Sequence, residues 1–269
     1  MDDSGRVEVC WLFSMTRSGS SVAAYAAAWP WRVAVADEVL TSFEDRTKEP
    51  YCYPAEQAEL RSLYEASGKR LTPEVCALAE VVFAKIARRE DPAATRVVSK
   101  HPHTLIGADE FRAALPRHRA VHLLRNPLHR LNSIYRRGWH AIEGEGFDLE
   151  RFKAVARRWE AGEHRVVFDD LKRDPAGFFG AMWRAWGWAY GPEHVEAAVE
   201  YQKTRYHASS AKLSPKKRPE RLYSEARMAL PREAVEAYLG DGYVRGLMER
   251  VGWETRAEAY VDGEGDGGE

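Results

Sequence analysis

A short polar segment with one arginine and one glycine follows the first apolar stretch of the chain. Its members are Thr16, Arg17, Ser18, Gly19, Ser20 and Ser21. Backbone N–H groups at a turn and in the first turn of a following helix lack intrahelical partners, and the helix dipole adds partial positive charge there. Glycine allows close backbone approach, serine hydroxyls donate hydrogen bonds, and arginine adds a permanent charge with a bidentate fork. The segment therefore predicts a site for a phosphate-like anion.

This segment departs from the Walker A pattern GxxxxGK[ST]. When Gly19 is aligned with the second glycine of the pattern, Ser14 takes the place of the first glycine and Ser20 that of the lysine. Ser21 keeps a hydroxyl, but no obvious strand ends in an aspartate that would hold Mg²⁺. The sequence thus indicates a phosphate loop without the apparatus for a nucleoside triphosphate. The alternative is a serine-rich helix N-cap with a chance arginine.

A second polar group follows the run RAVHLL at residues 119–124. Arg125 comes directly after that run, and Asn126-Pro127 begins a helix, since proline is favoured at the first helical position. Ser133 lies about two helical turns further on. Ligands of open α/β sheets bind at the carboxyl ends of strands, so we expect the Ser133 hydroxyl to meet a phosphate held by Arg125. The alternative is a capped helix with a surface arginine and serine.

Short apolar runs alternate with helical patterns through the first two thirds of the chain. Strands are predicted at 7–14, 33–36, 96–100, 119–124 and 165–168. Helices are predicted at 22–29, 54–90, 104–115, 147–161, from Pro127 and after Pro175. Such alternation predicts an α/β fold, with a central parallel sheet flanked by helices on both faces. Helices and loops are expected to make up the last hundred residues.

The composition excludes several classes of protein. Forty Lys and Arg oppose 41 Asp and Glu, a net charge of −1, which argues against a general nucleic-acid or membrane-surface binder. The chain has no apolar run of about 18 residues for a membrane span, and its acidic start lacks the apolar core of a signal peptide. Its three cysteines show no metal-ligand spacing. We therefore expect free thiols in a cytoplasmic protein.

The charge is distributed unevenly towards the end of the chain. Residues 203–221 hold seven basic residues and one acidic residue, a net charge of +6. Residues 254–269 hold six acidic residues and one arginine, a net charge of −5. We predict one α/β domain over 1–253 and an acidic, disordered tail over 254–269.

Together, the two polar groups resemble the motifs of the sulfotransferases that use 3′-phosphoadenosine 5′-phosphosulfate (PAPS). In that family the 5′-phosphosulfate loop reads roughly [R/K]-[S/T]-G-[S/T]-[S/T], which residues 17–21 match. The family's 3′-phosphate motif starts R-x-P and has a serine eight residues after the arginine, which residues 125–133 match. Residues 100–102 and 168–175 are similar to two further family segments. The resemblance covers roughly residues 7–190 and implies the P-loop type of α/β fold.

The resemblance implies transfer of a sulfuryl group from PAPS to a hydroxyl or amine of an acceptor, expected to be a small molecule. Such an enzyme positions an in-line attack and stabilises negative charge, and it needs no metal. Arg17 would lie beside the leaving 5′-phosphate oxygen, and Lys100 would reach the sulfuryl oxygens. Arg125 and Ser133 would hold the 3′-phosphate.

The resemblance also suggests which residue removes the acceptor's proton. Glu38 is the first candidate, because it follows the second predicted strand near the family's catalytic glutamate, and Asp37 is its substitute. His101 and His103 are rivals, since histidine suits proton transfer at neutral pH. The family pattern K-x-H is not met, because Pro102 stands two residues after Lys100. That departure favours Glu38.

The basic segment has two interpretations. A late basic loop closes over the cofactor in many sulfotransferases, so Lys216, Lys217 and Arg218 are candidate contacts as a group. The family's usual R-K-G form is absent, and a flexible charged loop is the alternative. Two other functions remain open for the chain: a P-loop phosphotransferase or nucleotide kinase, and a non-catalytic nucleotide-binding relative.

Overall fold

The computed structural model describes residues 6–37, 39–40, 54–89, 91–101, 108–136, 145–205, 228 and 230–261. The chain divides into two compact units. Unit 1 comprises Met1–Leu124 and Arg158–Leu222, and unit 2 comprises Arg125–Arg157 and Tyr223–Glu269. Both units are therefore built from two separate stretches of the sequence.

A five-stranded sheet forms the centre of unit 1. Its strands are β1 (Glu8–Phe13), β2 (Ala34–Asp37), β3 (Arg96–His101), β4 (Arg119–Leu124) and β5 (Arg165–Val167). The strand order is β2-β3-β1-β4-β5, and all four pairings are parallel. The predicted parallel sheet is confirmed.

Eleven α-helices lie in the described part of the chain. They are α1 (Ser20–Ala28), α2 (Pro54–Ala66), α3 (Pro73–Ala87), α4 (Ala108–Ala114), α5 (Pro127–Tyr135), α6 (Glu145–Ala161), α7 (Asp170–Arg173), α8 (Pro175–Ala185), α9 (Pro192–Glu200), α10 (Arg232–Gly240) and α11 (Gly242–Val251). Short 3₁₀ turns cover Trp29–Trp31 and Ala257–Ala259, and a π-helical turn covers Tyr201–Arg205. None of the helices described is long and apolar enough to cross a membrane.

Side chains of β1 alternate between the two faces of the sheet, and both faces are covered. Cys10 and Leu12 belong to one buried cluster with the alanines of α1 and with Trp183 of α8. Trp11 and Phe13 belong to a second buried cluster with residues of α3 and α4. A strand buried on both faces requires a continuous apolar run, which is what residues 9–13 provide.

The helical pattern over 54–90 forms two helices, α2 and α3. Gly68 and Lys69 both adopt positive φ, at 70° and 59°, and so end α2. Thr72 then caps α3 by accepting a hydrogen bond from Val75 N, and Pro73 occupies the first helical turn. Gly68 and Pro73 thus mark the break between the two helices.

Unit 2 contains α5, α10, α11 and most of α6. Val235, Val244 and Met248 are buried in it, and an isolated β-bridge joins Leu230 to Val261. Residues 254–261, at the start of the predicted tail, are structured, and the Tyr260 ring is buried. An apolar ring and a β-bridge hold this stretch despite its acidic composition. The remaining residues of the predicted tail lie outside the described part of the chain.

Candidate functional site

The polar segment after β1 forms a tight loop at the carboxyl end of that strand. Ser14 N donates to the carbonyl of His101 at 3.2 Å, and Ser18 N donates to Met15 O at 3.1 Å, which closes a turn. Arg17 and Gly19 both take positive φ, at 67° and 83°. The helix α1 begins immediately afterwards, so the N–H groups of its first turn lie at the end of this loop. The structure therefore contains a loop-and-helix start of the kind that binds oxyanions.

Gly19 is required by its backbone angle and by its surroundings. A Cβ atom at this position would lie 2.2 Å from Cε2 of the Phe168 ring. Phe168 is itself held at the end of β5, where its N–H donates to Leu124 O at 2.7 Å. The ring therefore lies against bare backbone at the start of α1, and any side chain at Gly19 would collide with it.

Two serine hydroxyls of this loop are buried without a hydrogen-bond partner among the described residues. They are Ser14 Oγ and Ser18 Oγ, and each residue is 1% exposed. Buried polar groups in native proteins nearly always have partners, so an orphaned donor at an anion-binding loop fits a ligand that accepts hydrogen bonds. Ser20 is also buried, and Ser21 is half-buried. Sequence reasoning missed Ser14 as a site residue, although its position directly after β1 was the available signal.

Lys100 and Asp37 form an ion pair at the same edge of the sheet. They are register partners at the ends of β3 and β2, and Lys100 Nζ lies 2.7 Å from Asp37 Oδ1. The lysine side chain is 3% exposed and the aspartate side chain 14%. A close opposite charge favours the ionised form of each group. Lys100, predicted to contact the sulfuryl oxygens, is therefore ion-paired with Asp37, the substitute candidate for the base.

His101 is surrounded by aromatic rings. It is 3% exposed, with the ring of Phe13 at 6.5 Å and that of Tyr64 at 6.3 Å, both edge-on. His101 is thus buried against two aromatic rings at the end of β3, and its role as a base stays a prediction. The other predicted site residues lie outside the described part of the chain: Glu38, His103, Lys216, Lys217 and Arg218.

The second predicted motif begins unit 2. Asn126 caps α5, because its Oδ1 accepts hydrogen bonds from Leu128 N at 2.9 Å and His129 N at 3.2 Å. Its Nδ2 donates to the hydroxyl of Tyr260 at 3.0 Å, and that hydroxyl donates to Glu254 O at 2.7 Å. Both oxygen and nitrogen of the Asn126 amide are therefore used, which fixes the chain directly after Arg125.

Arg125 and Ser133 are both half-buried, and they lie at opposite ends of this fixed segment. Ser133 is seven residues after the N-cap, so it returns to nearly the same face of α5 about 10 Å along the axis. The helix predicted from Pro127 is confirmed. The two residues are thus on one short rigid element.

A buried polar cluster lies on the same helix, and sequence reasoning missed it. The guanidinium of Arg130 forms an ion pair with Asp148 Oδ2, and the hydroxyl of Tyr238 donates to the same oxygen. Burial raises the pKa of Tyr238, and the negative charge of Asp148 adds to this effect, so the phenol stays a donor. The contributing helices are α5, α6 and α10. Only the RNPLHR run on α5 stood out in the sequence.

No group of three or more His, Cys, Asp or Glu side chains that could hold a metal occurs among the residues the structure describes. The described cysteines, Cys10 and Cys76, are buried free thiols.

Comparisons with known proteins give matches only among solved structures. No family model and no curated protein matches the chain. A crystal structure of a mouse sulfotransferase complexed with PAP matches with a TM-score of 0.51 at 10% identity, over 91% of this chain and 88% of that one. A sulfotransferase domain from the curacin biosynthetic pathway matches over 92% and 98% at 13% identity, with a TM-score of 0.48. A sulfotransferase from Mycobacterium avium matches over 93% and 78% at 10% identity, with a TM-score of 0.47. At identities this low, such likeness concerns the fold.

Proposed function

Because this chain has the fold of the sulfotransferases, we propose that it transfers a sulfuryl group from PAPS to a hydroxyl or amine of a small-molecule acceptor. The observation that carries the proposal is the loop after β1, where two buried serine hydroxyls lie beside a glycine that tolerates no side chain. This donor set suits the oxygens of a phosphate or a sulfate. Ser20 stands at the Walker lysine position, which disfavours a nucleoside triphosphate.

Residues at the carboxyl ends of β1 and β3 would bind the 5′ end of the cofactor. Ser14, Ser18 and the N–H groups at the start of α1 would bind the 5′-phosphosulfate, with Arg17 adding a positive charge. When bound, PAPS supplies an activated sulfuryl group with a good leaving group. Lys100, which Asp37 orients at the end of β3, would supply positive charge beside the sulfuryl oxygens.

The 3′-phosphate would be bound by the segment that opens α5. Arg125 would pair with it through its guanidinium, and Ser133 would donate from the second turn of the helix. Lys216, Lys217 and Arg218 are further proposed contacts as a group. Their three positive charges suit a doubly phosphorylated nucleotide.

Glu38 is the proposed base, and its neighbour Asp37 bears on the choice. Asp37 is an ion-pair partner of Lys100, so its carboxylate has a role in holding that lysine. His101 is buried among rings and is left out of the proposal. Replacing Glu38 by Gln should leave the affinity for 3′-phosphoadenosine 5′-phosphate (PAP) nearly unchanged while turnover falls roughly 10²-fold or more. Full activity of this variant would remove Glu38 from the mechanism.

The decisive experiment is calorimetry with PAP and, separately, with ATP and Mg²⁺. The proposal expects binding of PAP and much weaker binding of the triphosphate. Ser18→Ala should lower the affinity for PAP without lowering stability, since the hydroxyl it removes has no hydrogen-bond partner among the described residues. Ser67→Ala is the matched control, because the Ser67 hydroxyl donates to Tyr64 O on α2 and should affect only local stability.

Tight ATP binding with none of PAP would contradict the proposal and favour a phosphotransferase. Transfer of labelled sulfate from PAPS to a panel of hydroxyl and amine acceptors then separates an enzyme from a binding protein. Binding of PAP with no transfer to any acceptor would favour the non-catalytic relative.

A further inference from the structure

We propose that Arg130, Asp148 and Tyr238 are positioning residues that set the rotation of α5 and so aim Arg125 and Ser133 at the anion they bind. This inference rests on the proposed function. It concerns three residues that carry no role in the mechanism above. All three are almost fully buried, at 1%, 4% and 1% exposed respectively.

A buried ion pair of this kind is a poor source of stability. Removing both charges from water is expensive, and apolar replacements of similar volume are often neutral or stabilising. A single carboxylate oxygen of Asp148 accepts from both the guanidinium and the phenol, so the cluster is directional as well as charged. Directional contacts in a dry environment specify one arrangement of the helices, which apolar contacts alone specify less well.

Arg130 lies on α5 close to the residues proposed to bind the anion, so the packing of α5 against α6 and α10 determines where those residues lie. Arg130 is four residues after the N-cap Asn126 and three residues before Ser133, so all three lie on neighbouring positions of the helix surface. A shift of one residue turns a helix by about 100°. Contact with Asp148 of α6 and Tyr238 of α10 prevents such a rotation.

The N-cap supplies the second fixed point. The amide of Asn126 is held by Tyr260, outside α6 and α10. With both points fixed, neither the start of α5 nor its rotation is free. Arg125 precedes Asn126 and Ser133 follows Arg130, so the contacts of Asn126 and Arg130 also fix the positions of these two residues.

The test replaces the cluster by apolar residues of similar size in the full chain: Arg130→Met, Asp148→Leu and Tyr238→Phe together. We expect the melting temperature to stay the same or rise, while the dissociation constant for PAP rises at least 10-fold. Adding Arg125→Ala to this variant should weaken PAP binding less than Arg125→Ala does alone, since Arg125 is already misplaced. A residue with a purely structural role would not produce this coupling.

Two further variants complete the design. Lys153→Met is the matched control, because it breaks the ion pair between Lys153 and Asp241 in the same unit and should leave PAP affinity unchanged. Tyr238→Phe alone keeps the ion pair and removes one donor, so it serves if the triple variant fails to fold. It should weaken PAP binding 2- to 5-fold.

Unchanged PAP affinity in a folded triple variant, or in Tyr238→Phe if the triple variant is unfolded, would overturn the inference. So would effects on affinity that simply add to those of Arg125→Ala. Wild-type protein that does not bind PAP at all would instead overturn the proposed function, and this inference with it.

Discussion

The two proposed anion-binding motifs of this protein are built in opposite ways. The loop after β1 uses consecutive residues, with its shape set by a turn, two positive φ angles and the first turn of α1. The start of α5 uses side chains from distant parts of the chain, with Asn126 and Tyr260 separated by 134 residues. One motif is therefore specified locally, and the other exists only when unit 2 has folded.

The two motifs also carry their energetic costs in different forms. Arg17 has a φ of 67°, a left-handed conformation that costs a non-glycine residue about 1–2 kcal/mol. The α5 motif has unfavourable desolvation instead, because the charges of Arg130 and Asp148 are buried. Backbone strain in one site and desolvated charge in the other both require a rigid scaffold. Three of the following four experiments test this contrast, and the other tests the burial of two histidines in unit 1.

Gly19→Ala should have the largest effect of the substitutions, because the loop depends on its backbone. The added methyl group meets a φ of 83° and the Phe168 ring at once. Left-handed strain and overpacking together predict a loss of about 2–5 kcal/mol of stability, measured by urea unfolding. Gly68→Ala is the matched control, because Gly68 has a φ of 70° and no neighbouring atom within 4 Å. Equal losses in the two variants would show that the contact with Phe168 has no energetic weight.

Acid should weaken unit 1 through two buried histidines. Burial lowers the pKa of His122 to about 4, with a smaller effect from the charge of His164, and burial likewise lowers the pKa of His118 to about 4. The folded state then binds fewer protons than the unfolded state below the ordinary value of 6.5, so stability is lost as the pH falls from 6.5 to 4. The loss is on the order of 3 kcal/mol for each histidine.

Urea unfolding at pH 7.5 and pH 4.5 measures this loss. His122→Gln should remove about half of the pH dependence, and His118→Gln should behave similarly. Val9 N donates to His118 Nδ1 at 3.0 Å, and a glutamine oxygen can accept that bond. A wild-type stability that does not change over this range would contradict the neutral, buried state of both rings.

Arg125→Ala and Arg17→Ala compare the two motifs directly through their affinity for PAP. A lost charge-assisted contact is worth roughly 1.5–3 kcal/mol, and Arg125→Ala should lose that amount. Arg17→Ala should lose less, because the serines and backbone N–H groups of the loop remain. Calorimetry measures both. A larger loss for Arg17→Ala would mean that the loop binds through its side chain rather than its backbone.

Asn126→Ala should have the smallest effect of the four. Loss of an N-cap costs about 1 kcal/mol in stability. The same change also removes one hydrogen-bond partner of Tyr260, so Asn126→Ala and Tyr260→Phe should be non-additive in thermal unfolding. Thr72→Ala removes the N-cap of α3 in unit 1 and is the matched control for a cap without a distant partner. If the effects of Asn126→Ala and Tyr260→Phe add fully, the N-cap of α5 does not depend on the hydrogen bond to Tyr260.

Sequence patterns predicted the sheet and the local motif well. Apolar runs bounded by polar residues marked all five strands, because both faces of a parallel sheet must be apolar. The turn residues around Gly19 and the proline after Asn126 determine the backbone conformation of only a few neighbouring residues. The turn and the helix start could therefore be predicted from the sequence.

Long-range partners could not be found in this way. Nothing near Arg130 in the sequence points to Asp148 or Tyr238, since their meeting depends on how α6 and α10 pack. Tyr260 lies within an acidic stretch whose average composition indicates disorder, and one buried ring with two hydrogen bonds outweighs that average. The pairing of Lys100 with Asp37 depends on β2 and β3 being neighbours in the sheet. The pattern of apolar residues predicts the strands but not their order.

The bond between Asn126 and Tyr260 has a consequence for folding during synthesis. A nine-residue helix such as α5 is marginal by itself in water. Its cap partner is added 134 residues later, which at typical translation speeds means roughly 7–27 s after Asn126 itself. Throughout that interval the nascent chain holds α5 without its anchor, while most of unit 1 has already been made. The second proposed anion-binding motif therefore gains this contact late in synthesis, well after the residues of the loop at Gly19 have been made.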